Sequence, residues 1–256
     1  MSPAAPNGAR SGDALVLDGV SRSFGALKAI ENVSFSVAAG ERRAVIGANG
    51  AGKTTLFNVI TGDFPATAGR VLFFGDEITL QPPFERIRAG LRRTYQSSLL
   101  FRELSVRDNL YLAVRGVTRR RFSFLRESHN AQAESLLDRV RLRAVAEQPV
   151  SSLSHGQQRQ LEIGMALAGA PRLILFDEPA AGLSPGERAE LVALLRALPS
   201  YIGFVLIEHD LDIALRVVEQ VTVMHNGRVL KHGSPQEIEN DPEVQAIYMG
   251  GKRLDS

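Results

Sequence analysis

A strand-like run, Arg43–Ile46, empties into Gly47-Ala48-Asn49-Gly50-Ala51-Gly52-Lys53-Thr54-Thr55, and few sequence words restrict a fold so tightly. The pattern is glycine, four residues, glycine, lysine, then serine or threonine. Its glycines let backbone N–H groups curl around phosphate oxygens, Lys53 can reach the β- and γ-phosphates, and Thr54 can hold Mg²⁺. Standing alone, such glycines could merely turn a chain. Here the apolar strand before them and the helical face after them, Leu56, Val59 and Ile60, supply the context that phosphate binding needs. A helix beginning near Gly52 also aims its positive end at the anion.

Composition narrows the remaining classes. With 44% hydrophobic residues over 256 positions, a large α/β core is within reach. The net charge of +2 gives no reason to expect a nucleic-acid partner. The chain has no cysteine, which excludes disulfides, thiolate catalysis and cysteine metal sites. No stretch approaches the ~20 apolar residues of a membrane span. The most apolar windows, Leu173–Phe176 and Tyr201–Ile207, have strand lengths, so any membrane role must be borrowed from a partner. Residues 1–12 are rich in Ala, Pro, Gly and Ser without an apolar centre, and they are expected to form a tail and not a signal peptide. Residues 251–256 are read as a second tail.

Ala14–Val20 and Val33–Val37 read as strands of a small antiparallel sheet, joined by a hairpin of Arg70–Phe74 and Glu77–Ile78 around Gly75-Asp76. Leu173–Phe176 and Phe204–Ile207 are continuous apolar runs, each followed by a helical pattern, which is the mark of buried parallel strands. Val106–Gly116 and Asn130–Val140 read as helices, the second with Ala133, Leu136, Leu137 and Val140 on one side. They place a helical sub-domain at about 97–155, inserted into a catalytic core formed by 13–96 and 156–234. Ser184-Pro185-Gly186-Glu187 is a helix start with a capping box. Val221–His225 and Arg228–Lys231 flank Asn226-Gly227 as a hairpin, and capped helices beginning at Ser234-Pro235 and Asp241-Pro242 fill 235–250.

Asp177 and Glu178 stand at the carboxyl end of a buried strand, where open α/β sheets bind ligands. Asp177 is suited to hold Mg²⁺ through water, and Glu178 to polarise an attacking water. With Lys53 they would cover most of what phosphoryl transfer requires, which is placement and charge neutralisation. Upstream, Ser154 can cap a helix with Gln157 at the reciprocal position, and a helix tip with a free hydroxyl can also bind phosphate.

These words, in this order, resemble the ATP-binding subunits of ABC transporters from residue 14 to residue 250. The resemblance implies a P-loop NTPase of the ABC ATPase type, an α/β fold with a RecA-like core, an N-terminal antiparallel β sub-sheet and an inserted helical sub-domain. ATP and Mg²⁺ are the implied cofactors. Ser154-His155-Gly156-Gln157 is similar to the family's signature, with His155 where a glycine is usual. The family uses it in trans, two chains closing head to tail over ATP. By the same resemblance Gln96 touches Mg²⁺ and links core to helical region, His209 is the switch histidine at the γ-phosphate, and Phe24 stacks on adenine. Ser184 stands where many members carry Asp.

Gly156–Ile163, Glu178–Leu183 and Ala246–Gly250 resemble the branched-chain amino acid importer group, while Ser154-His155 also resembles urea and short-amide importers. The implied partners are a second ABC ATPase, identical or paralogous, membrane permease subunits and, indirectly, a solute-binding protein, at the cytoplasmic face of the membrane. A non-transport ABC ATPase would call for paired nucleotide domains or a coiled-coil insertion, and a GTPase for an Asn-Lys-x-Asp word. The chain contains none of these. Arg119-Arg120-Arg121 with Phe122, Phe124 and Arg126 is a basic run that suits either a solvated loop or a contact with lipid or a partner.

Overall fold

A computed structural model describes residues 12–95, 100–117 and 125–250. The readings made at residues 1–11, at Gln96, at the Arg119–Arg121 run with Phe122 and Phe124, and at 251–256 lie outside the described residues.

The chain begins with β1 (Asp13–Phe24), β2 (Leu27–Ala38) and β3 (Arg42–Ile46), then α1 (Lys53–Thr61), β4 (Ala68–Phe73), β5 (Asp76–Glu77), α2 (Pro83–Ala89) and β6 (Leu91–Thr94). The helical stretch holds α3 (Val106–Val117), α4 (Leu125–Arg139) and α5 (His155–Ala166). Next come β7 (Leu173–Asp177), α6 (Pro185–Arg196), β8 (Gly203–Ile207), α7 (Leu211–Val217), β9 (Gln220–His225), β10 (Arg228–Gly233), α8 (Pro235–Glu239) and α9 (Pro242–Gly250).

Two sheets result: a four-stranded antiparallel one in the order β2-β1-β4-β5 and a six-stranded one in the order β10-β9-β3-β8-β7-β6. Within the larger sheet only β10 runs antiparallel to its neighbour. Its central strands are apolar on both faces, and the alternation of side chains assigns successive residues to different cores. Val45, Leu173, Leu175, Val205 and Ile207 pack under α1 and the small sheet. Ala44, Ile46, Ile174, Phe176, Phe204 and Leu206 pack under the helices of the other face.

The expected N-terminal strands are longer than their apolar centres, because pairing continues through bulges to Phe24 opposite Leu27. The first hairpin turn differs by one residue from the expectation. It is Phe74-Gly75, with φ of 49° and 88°, so that Asp76 already pairs with Phe73. Two positive φ values are what a tight hairpin turn requires, and Phe74 accepts one of them. The second hairpin turns at Asn226-Gly227 as expected. Capping boxes start α5 at Ser154, α6 at Ser184 and α8 at Ser234. Ala133, Leu136, Leu137 and Val140 are buried together, and Val106, Leu110 and Val114 of α3 join them.

Strand register positions the site. Val45 of β3 pairs with Ile207 of β8, which pairs with Asp177 of β7, so three neighbouring strands end level. The segments that follow them, from Gly47, Glu178 and Glu208, therefore emerge along one edge.

Candidate active site

Along that edge lies a cleft of about 520 Å³ lined by Asn49–Thr55, Glu178, Leu27–Ala29 and the Asn226-Gly227 turn. The loop into α1 is shaped by close approach. Gly52 caps α1 with φ of 95°, and a Cβ there would stand 2.6 Å from the Ala29 carbonyl oxygen. The first helical hydrogen bond is Leu56 N–H to Gly52 O, so the amides of Lys53, Thr54 and Thr55 are donors that the helix does not itself use. They open the N-terminus of α1 to an anion.

Lys53 is buried, and its ammonium donates to the carbonyls of Gly47 at 2.6 Å and Ala48 at 3.1 Å. Burial pushes its pKa down, while the carboxylates of Glu178 and Asp177 oppose the shift. Thr54 is exposed at the start of the helix. Asp177 is 2% exposed and makes a 2.7 Å ion pair through Oδ2 with Arg93 of β6. Arg93 in turn reaches Asn58 Oδ1 at 2.5 Å and Asp63 at 3.2 Å, tying β7 to α1.

No group of three His, Cys, Asp or Glu side chains suited to a metal occurs among the described residues. Thr54 and Asp177 supply oxygen donors only. That set fits Mg²⁺, which keeps several waters and takes one or two protein oxygens beside substrate phosphates.

Glu178 follows β7 with φ of 47°, a left-handed conformation uncommon outside glycine. Its N–H bonds Ile207 O at 3.0 Å, and its carbonyl accepts from Ala181 N–H at 3.1 Å. His209 Nδ1 lies 3.8 Å from Glu178 Oε2 and 3.9 Å from Glu208 Oε2. Glu208 was not singled out by sequence, although a charged residue directly behind a buried apolar strand was a usable signal. It is fully buried, and burial raises its pKa, with the Ala180 N–H as the main opposing influence.

Gly47–Thr55, Asp177, Glu178 and His209 thus converge. Phe24 does not line the cleft: it packs edge-on against Phe64 at 5.4 Å with Arg22 over its ring, and the neighbouring wall is Leu27. Ser154, Gly156 and Gln157 are not among the lining residues either. They form the tip of α5, where Ser154 Oγ accepts from Gln157 N–H and Gln157 Oε1 accepts from Ser154 N–H at 3.0 Å. Beside this tip stands Glu187 of α6. Its Oε1 accepts from Gly156 N–H at 2.8 Å and Ser154 Oγ at 3.3 Å, and its Oε2 accepts from Ser184. A Cβ at Gly156 would stand 2.7 Å from that side chain, so a larger residue there would push Glu187 aside.

The family model described as ABC transporter matches residues 30–181. The chain is 35% identical to the high-affinity branched-chain amino acid transport ATP-binding protein BraF of Pseudomonas aeruginosa, over 92% of this chain and 97% of that protein. It is 36% identical to its counterpart LivG of Escherichia coli, with the same coverage. Among solved structures, a nucleotide-free ATP-binding cassette from an ABC transporter superposes with a TM-score of 0.83 at 34% identity, covering 92% of this chain and 98% of that one. A cassette in its ADP conformation superposes with a TM-score of 0.81 at 32% identity, covering 93% and 99%.

Proposed function

Because the chain belongs to the ABC transporter family, as an ATP-binding subunit that hydrolyses ATP, we propose that it powers an importer of branched-chain or related amino acids. The observation that carries the chemistry is the shared cleft: Asn49–Thr55 of the cradle and Glu178 line one space. In this reading the cradle amides and Lys53 bind the phosphates, Glu178 polarises the attacking water, and His209 contacts the γ-phosphate. Thr54, Asp177 and Gln96 would hold Mg²⁺, which when bound neutralises charge on the β- and γ-phosphates. Adenine would lie at the Leu27 end of the cleft.

The α5 tip lies outside this cleft, which suits a role in trans. Ser154, Gly156 and Gln157 of one chain would close on the triphosphate held by a second copy or a paralogue. An apolar-walled groove of about 210 Å³ is lined by Ile87, Tyr95, Leu100, Ala113, Val117 and Met165 around β6. It offers a seat for a permease helix and would hold the chain at the cytoplasmic face of the membrane. Residues 97–155 would then move as the helical sub-domain that transmits closure. The amino-acid cargo is supported by identity along nearly the whole chain to two proteins named for that transport.

The test is uptake of labelled leucine by cells carrying the chain or Lys53→Ala, together with the proteins that co-purify from membranes. Leucine uptake lost in Lys53→Ala, with two hydrophobic subunits and a solute-binding protein recovered, is the expected result. Lys53-dependent urea uptake would favour the short-amide reading suggested by Ser154-His155. Recovery without any membrane subunit would refute a transport role.

A further inference from the structure

Three hydrogen bonds frame the turn that carries Glu178, and one of them comes from a side chain. Glu178 N–H bonds Ile207 O, Ala181 N–H bonds Glu178 O, and Ala180 N–H donates to Glu208 Oε1 at 2.8 Å. Glu208 is 0% exposed, and among the described residues its Oε2 makes no side-chain hydrogen bond, the backbone N–H groups of Ala180 and His209 being the donors that favour its charge. A buried carboxylate is costly, and an apolar residue would fill the same space more cheaply. Its placement gives the carboxylate a use: Oε1 grips the backbone two residues beyond Glu178, while Oε2 lies 3.9 Å from His209 Nδ1. The turn it grips holds Glu178 at a φ of 47°, a conformation that persists only where the surroundings impose it.

We propose that Glu208 is a positioning residue for ATP hydrolysis, whose buried carboxylate fixes the turn that presents Glu178 to the cleft and stands behind His209. The proposal rests on the reading of Glu178 as the group that polarises water. Glu208 touches neither nucleotide nor water in this scheme. It acts through the Ala180 amide, so its loss leaves the phosphate cradle intact and displaces only the reacting carboxylate. Misplacement by about 1 Å is enough to cost on the order of 100-fold in rate.

The experiment compares Glu208→Leu, Glu208→Gln and Glu178→Gln in the complex purified from membranes, measuring steady-state kcat and KM and the binding of a fluorescent ATP analogue. Glu208→Leu is expected to lower kcat by about 30- to 100-fold, with KM and analogue affinity within about threefold of the parent. Glu208→Gln keeps an oxygen for the Ala180 amide and is expected to restore kcat to within about fivefold. Should Glu208→Leu fail to fold, Glu208→Thr carries the same expectation, because its shorter side chain loses reach to Ala180. A Glu208→Leu or Glu208→Thr enzyme with kcat within about threefold, a loss confined to KM, or a Gln variant no more active than Leu would each overturn the proposal. Unchanged turnover in Glu178→Gln would instead remove the reading it rests on.

Discussion

Arg93→Met tests whether the buried pair with Asp177 holds β6, β7 and α1 together. Both side chains are nearly out of solvent, 4% and 3% exposed, and they meet at 2.7 Å. Methionine keeps most of the stem's volume but deletes the charge and the guanidinium that lies over the rings of Phe57 and Tyr95. What remains is an uncompensated buried carboxylate, and removing one partner of such a pair costs about 3–5 kcal/mol. Lys53, which Asp177 influences electrostatically, offsets part of that cost, so the lower end of about 3 kcal/mol is expected. For a chain of this size the loss corresponds to a melting temperature lower by roughly 6–12 °C. Urea unfolding followed by circular dichroism should show the midpoint falling with an unchanged slope. In an Asp177→Asn background the same substitution should cost less by about 2 kcal/mol, since the charge to be compensated is gone. Additive losses in that cycle, or an Arg93→Met protein within about 1 kcal/mol of the parent, would refute the reasoning.

Lys53→Ala removes the only side-chain cation among the residues lining the cleft beside the cradle, apart from Lys28, and should abolish ATP binding in a fluorescent-analogue titration; retained affinity would displace Lys53 from its role. Ser154→Arg should leave nucleotide binding by the single chain unchanged while blocking the ATP-dependent dimer, read by light scattering with a non-hydrolysable analogue. A normal dimer would discredit the trans role of the α5 tip. Hydrogen bonds from Ser184, first through its backbone amide, and from Gly156 lower the Glu187 pKa from 4.5 to about 2. A depressed carboxyl stabilises the fold above its unfolded pKa, and that contribution is lost as pH falls from about 4.5 toward 2. Glu187→Gln should therefore flatten the acid limb of melting temperature against pH, and an unaltered limb would contradict this.

What the sequence made legible was chemistry carried by neighbours in the chain. The Gly47–Thr55 cradle, the capping boxes at Ser154 and Ser184 and the helix cap at Ser234 are each contiguous words whose local geometry is the whole of their meaning. Apolar runs likewise disclosed the central strands, because a strand buried on both faces leaves no polar alternation. The pairs that make these parts into a site were not legible, since each joins residues far apart: Arg93 with Asp177, Ala180 with Glu208, and Gly156 with Glu187. Each depends on the strand order β3-β8-β7-β6 or on the packing of α5 beside α6, and neither is written in any local word. The shifted turn at Phe74 has the opposite cause. Gly75 marked the turn, but pairing of Asp76 with Phe73 chose which neighbour turned with it. The three long-range pairs have one feature in common: a carboxylate meets a guanidinium or a backbone N–H that borders a residue of the hydrolysis scheme. Contiguous words therefore supplied the groups assigned to nucleotide in the proposed scheme, and long-range contacts supplied the groups that would aim them. Aiming is where the perturbations above should separate kcat from binding.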